Sequence, residues 1–137
     1  MSNAMEVNDS DFELQIEQHK GLAVVDFWAT WCAPCRDELP LIRDVYLAHR
    51  DEGLTVVAID FGDESADTIR KFWRSLNLEP APFLDPDGRV AAAYGVALNN
   101  TGLPVSVLVA RDGSVSSYEP FPLTRDYLDA ALQKILS

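Results

Sequence analysis

Two cysteines close together in Trp31-Cys32-Ala33-Pro34-Cys35 mark the point where an apolar run gives way to a helical pattern. No other stretch constrains the fold as tightly. Ahead of it, Leu22-Ala23-Val24-Val25-Asp26-Phe27-Trp28 is short, apolar and β-branched, as expected of a buried central strand. Behind it, Arg36 to Leu47 places its apolar residues at helical spacing. Cys32 is therefore expected at a helix start and Cys35 about one turn further in. A helix N-terminus carries partial positive charge and unpaired N–H groups, which favour the thiolate of Cys32 over its thiol. Pro34 suits the first turn, where its missing N–H costs nothing.

The spacing separates two uses of a cysteine pair. A disulfide across so short a loop restrains the unfolded chain little and makes a poor staple. The same spacing lets the second thiol attack a mixed disulfide formed by the first. Paired cysteines can also supply half of a metal site. Its completion needs two more ligands, and neither His19 nor His49 has ligand-like spacing to a partner. Thiol–disulfide exchange is the favoured reading and metal binding its rival.

The segment Val25-Asp26-Phe27-Trp28-Ala29-Thr30-Trp31-Cys32-Ala33-Pro34-Cys35 closely resembles the active-site segment of thioredoxins. Read on through Arg36-Asp37-Glu38-Leu39-Pro40, it is equally similar to the TlpA/ResA-type thiol–disulfide oxidoreductases of the thioredoxin superfamily. The resemblance implies an α/β protein: a three-layer α/β/α thioredoxin fold with a central mixed sheet and a TlpA-like strand–helix insertion. Ala81 to Val96, with its Pro86-Asp87-Gly88 turn, resembles that insertion.

The family pattern assigns roles residue by residue. Cys32 and Cys35 are the redox pair, and Asp26 matches the carboxylate beneath it that serves as general base towards the second thiol. An aspartate that simply reaches water from a strand end is the plainer reading. Thioredoxins often pair this carboxylate with a lysine from the next strand, and Thr55 to Asp60 offers none. Trp31, Ala33, Pro34, Leu103 and Pro104 match the substrate-contacting rim, with Pro104 at the place of the superfamily cis-proline. Glu64 or Asp63 matches an acidic residue near the cysteines and could shift their pKa; either could equally be ordinary helix N-terminal acid. Arg36 adds positive charge beside Cys35, or is an exposed helix residue.

The 137 residues, 47% of them hydrophobic, suffice for one domain with a real core, over residues 5–137. Met1 to Ala4 reads as an expression-tag remnant. A net charge of −11 argues against nucleic acid and anionic membrane surfaces as partners. No run approaches the roughly 20 apolar residues of a membrane span, and no signal-peptide pattern is visible. The expected location is cytoplasmic if Met5 is the native start, and periplasmic or otherwise extra-cytoplasmic if a signal or anchor has been removed.

Elsewhere, helices are expected over Asp11 to Gln18, over Ala66 to Leu76 capped by Ser65, and after Thr124. Leu54 to Ile59 and the run after Pro104 read as buried strands, and Ser114 to Tyr118 as an edge strand behind the Arg111-Asp112-Gly113 turn. Pro40 predicts a kink in its helix.

The expected activity is reduction of protein disulfides, with protein substrates, an upstream thiol electron donor, a monomeric protein and no cofactor beyond the Cys32–Cys35 disulfide. Ala33-Pro34 lacks the histidine found in strongly oxidising relatives. The alternatives are a disulfide oxidase or isomerase, a copper- or zinc-carrying protein of the same fold, and a non-catalytic binding module.

Overall fold

The apolar β-branched runs form the middle of a six-stranded sheet, with shorter strands at its edges. The computed structural model describes residues 5–6, 21–60, 64–96 and 103–136. The expected helix over Asp11 to Gln18, and His19 and Asp63, lie outside the described residues. Strands β1 (Met5–Glu6), β2 (Ala23–Trp28), β3 (Thr55–Asp60), β4 (Phe83–Leu84), β5 (Val105–Val109) and β6 (Val115–Glu119) run in the order β1-β4-β3-β2-β5-β6. Pairs β1–β4, β4–β3 and β3–β2 are parallel, whereas β2–β5 and β5–β6 are antiparallel. The sheet is mixed, as expected of a thioredoxin fold.

Helices α1 (Ala33–His49), α2 (Ala66–Ser75), α3 (Arg89–Ala93) and α4 (Arg125–Leu136) cover it. Successive strand residues face opposite sides, and the core divides accordingly. Val25, Phe27, Val57, Ile59, Val105 and Val107 pack with Val90 and Ala91 of α3. On the other side Val24, Val56 and Leu108 pack with Ile42 and Val45 of α1 and Leu128 and Leu132 of α4. A third cluster on that side joins Trp28, Ala58, Leu39, Ile69 and Trp73 to both cysteines. Trp28 is fully buried, with its ring 5.2 Å from Phe72 and 5.1 Å from Trp73.

Local signals set the element ends. Cys32 is the N-cap of α1, and Pro34 lies in its first turn. The helix continues through Pro40 to His49. Gly53 then turns the chain at φ +95°, a conformation glycine adopts without a Cβ penalty. Ser65 caps α2 by accepting the Thr68 N–H at 3.2 Å. The inserted β4–α3 unit is held by Asp85, whose buried carboxylate accepts the N–H groups of Val90 (3.3 Å) and Ala91 (2.9 Å).

Candidate active site

The central strand β2 ends, one turn intervenes, and helix α1 begins at that turn. Cys32 caps this helix: its Sγ accepts the Cys35 N–H at 3.2 Å, and the two are joined in a disulfide with Cα atoms 5.3 Å apart. Cys35 is completely buried and Cys32 retains 4% exposure. The flanking Trp31 is 68% exposed, and Ala33 and Pro34 are exposed too. Of the two cysteines only Cys32 reaches the surface, beside exposed Trp31, Ala33 and Pro34.

Leu103 packs at the edge of the cluster that holds both cysteines, and the Leu103–Pro104 peptide bond is cis. Pro104 leads directly into β5, the antiparallel neighbour of β2. The residues assigned to the rim thus arrive from two sides, the α1 start and the β5 start. Arg36 is exposed, and its guanidinium carbon sits 5.5 Å from the centre of the Phe72 ring, within cation–π range.

Glu64 secures the turn before the cysteines. Its carboxylate accepts the Thr30 N–H at 3.0 Å and also the Thr30 hydroxyl. Partial burial alone would raise its pKa, but hydrogen bonds from Asp60 and Thr30 together hold it below the usual glutamate range. Glu64→Ala is expected to cost about 1 kcal/mol at neutral pH, because it orphans a turn held by a charged acceptor. The folded pKa is depressed, so this stabilisation is present above the unfolded value. It fades as pH falls through about 4 and below. Denaturation of both proteins at neutral and acid pH checks it: a loss independent of pH would contradict the assignment.

Asp26 lies in the middle of β2, opposite Ser106 of β5, with no solvent exposure. Ser106 Oγ donates to Asp26 Oδ1 at 2.9 Å. The charge facing Asp26 was not anticipated. In place of a lysine from β3 stands a second acid, Glu38 of α1, which is 2% exposed and in hydrogen-bonding contact with Asp26. The Leu123 N–H donates to Glu38 Oε2. Burial first, and then the Glu38 charge and contact, push Asp26 well above the usual carboxyl range, against a smaller opposing pull from Ser106. Burial also raises Glu38, while its hydrogen bonds to Asp26 and Leu123 pull it back.

A signal for Glu38 existed in the sequence. Cys35, Glu38, Leu39 and Ile42 recur at i, i+3, i+4 and i+7, which puts an acid on the buried stripe of α1. Ser106 had none, because a serine in an apolar strand points to no particular partner. No group of three or more Cys, His, Asp or Glu side chains suited to a metal occurs among the described residues.

The AhpC/TSA family profile matches residues 3–118. Thiol-disulfide oxidoreductase ResA of Bacillus thuringiensis subsp. konkukian is 30% identical over 124 residues, covering 90% of this chain and 69% of the relative. The chain belongs to the AhpC/TSA family, among its ResA-type thiol–disulfide oxidoreductases. Solved structures agree with this placement of the oxidoreductase. A Chlorobium tepidum structure assigned as thiol:disulfide interchange protein DsbE superposes with a TM-score of 0.77 at 28% identity, over 88% of this chain and 84% of the other. A secreted Mycobacterium tuberculosis disulfide oxidoreductase homologous to E. coli DsbE gives 0.72 at 25% identity, over 86% and 84%.

Proposed function

We propose that this oxidoreductase works as a reductase of protein disulfides, acting as a monomer outside the cytoplasm and recharged by an upstream thiol donor. The observation that carries the reading is the asymmetry of the pair: Cys32 caps a helix beneath an exposed apolar rim, while Cys35 is sealed. The secreted mycobacterial relative supports the compartment. The expectation of a cytoplasmic protein has no support from the relatives. Among the described residues no helix is long and apolar enough to cross a membrane.

In the reduced protein the Cys32 thiolate attacks one sulfur of a substrate disulfide, and the other sulfur leaves as a thiolate that water protonates. Cys35 then loses its proton towards Asp26, the buried acid within β2 and the proton-handling residue. The Cys35 thiolate attacks Cys32, re-forming the intramolecular disulfide and releasing the second substrate thiol. Two electrons pass to the substrate, and the upstream donor restores them. Trp31, Ala33, Pro34, Leu103 and Pro104 would hold an extended substrate segment against Cys32.

The test is catalysed reduction of a protein disulfide substrate with a small dithiol as electron source. A rate well above that of the dithiol alone is expected. A pair that instead oxidises reduced substrate faster than it reduces disulfides would reverse the assignment.

A further inference from the structure

The contact between Asp26 and Glu38 is unusual in what it leaves unsatisfied. Each carboxyl has one oxygen with a donor, Asp26 Oδ1 from Ser106 and Glu38 Oε2 from the Leu123 amide. The other two oxygens, Asp26 Oδ2 and Glu38 Oε1, are buried and receive no donor among the described residues. Ionised carboxylates only accept. Two anions here would leave two bare acceptors and two like charges in contact, away from water. A single proton removes both faults, because one carboxyl becomes a donor to the other.

We propose that Asp26 and Glu38 hold one proton in common and work as a single acid, with Glu38 and Ser106 as the residues that position it. This rests on the reductase reading of the same site. The Leu123 amide favours the anion on Glu38, so the proton resides on Asp26 in the resting protein. Asp26 then accepts the Cys35 proton only as it passes its own to Glu38. The step balances: the pair goes from one proton to two, and Cys35 goes from thiol to thiolate. The topology suits the relay, because Glu38 stands one helical turn beyond Cys35 on the same buried face of α1. Ser106 comes from β5, and Ala58 stands beside Asp26 on β3. A third buried acid, Asp60, stands on β3 two residues beyond Ala58 on the same face of that strand.

Carbon-13 NMR titration of the side-chain carboxyls in the oxidised protein tests the pair without relying on activity. In the native sequence Asp26 and Glu38 are expected to titrate together in two steps, both seen at both residues. Glu38→Gln keeps the volume but offers Asp26 an N–H donor, which favours the Asp26 anion. A single Asp26 step is expected, shifted down by about one pH unit or more. Ser106→Ala should move the upper step the other way, because it removes a donor to the anion. If Glu38→Gln does not fold, Asp26→Asn reads the same coupling from Glu38, whose step should fall. Asp26 titrating alike in the native protein and Glu38→Gln, or Glu38 alike in the native protein and Asp26→Asn, overturns the proposal. In the reduced protein, the pH midpoint for resolving a mixed disulfide should follow the Asp26 shift in Glu38→Gln. A purely structural Glu38 would change amplitude and leave that midpoint in place. Independent titration in a protein that reduces disulfides sinks the pair alone. Coupled titration in a protein that exchanges none leaves the pair standing and sinks the reductase reading.

Discussion

Cys35→Ser is expected to trap the protein as a mixed disulfide with its substrate through Cys32, while Cys32→Ser forms no adduct. Turnover falls in both variants, by on the order of 10⁴-fold or more, since the residues act as a unit. The asymmetry follows from burial: Cys35 is fully enclosed and cannot reach a protein substrate, whereas Cys32 lies at the rim beside exposed Trp31. Without Cys35 the first step proceeds and the second has no nucleophile. Incubation of each variant with an oxidised protein substrate, followed by non-reducing electrophoresis and mass spectrometry, distinguishes them. Adduct through Cys35 in the Cys32→Ser variant would reverse the assigned roles.

Asp26→Asn should make the oxidised protein more stable at neutral pH and the reduced protein slower. Asp26 has a folded pKa raised by burial and by Glu38. The folded state therefore binds a proton that the unfolded state has already released, and stability falls as pH rises between the two values. The native site contributes fully below the unfolded pKa, near 4, and becomes a growing cost above it, at roughly 1.4 kcal/mol per pH unit. The cost levels off once pH passes the folded value. Asparagine fits the same hydrogen bonds, with its amide donating to Glu38 and its carbonyl accepting from Ser106, and takes up no proton. The variant should match the native protein near pH 4 and gain on it steadily as pH rises towards 7. Resolution of the mixed disulfide should slow by about 10²–10⁴-fold, the usual range for a lost proton acceptor. Denaturant curves across this pH range, with single-turnover kinetics, check both halves. A variant destabilised at every pH would contradict the account.

The frame of the fold was legible because its signals are local. Val24-Val25 and Val56-Val57 announce buried strands, Ser65 announces a helix start, and the cysteine motif fixes the strand-to-helix junction. β1 pairs only Met5 and Glu6 with Phe83 and Leu84, a length too short for any alternation to register. The candidate site divides in the same way. Cys32, Cys35, Trp31 and Pro104 sit in motifs, whereas Glu38 reads as one more charge in Arg36-Asp37-Glu38 until α1 is docked. Ser106 matters only because antiparallel pairing sets it opposite Asp26. Both depend on contacts between residues 12 and 80 positions apart in the chain: helical spacing marks Glu38 as buried, but nothing local to either residue names Asp26 as its partner. Arg36 shows the converse: adjacent to Cys35 in sequence, its guanidinium lies over the Phe72 ring.

The reduction potential of the Cys32–Cys35 pair, measured by equilibration against glutathione or a thioredoxin standard, tests the reductase reading most directly. A value near about −270 mV, comparable to thioredoxin, is expected. A value of about −120 to −180 mV would mark a pair built to oxidise or isomerise disulfides and would contradict it.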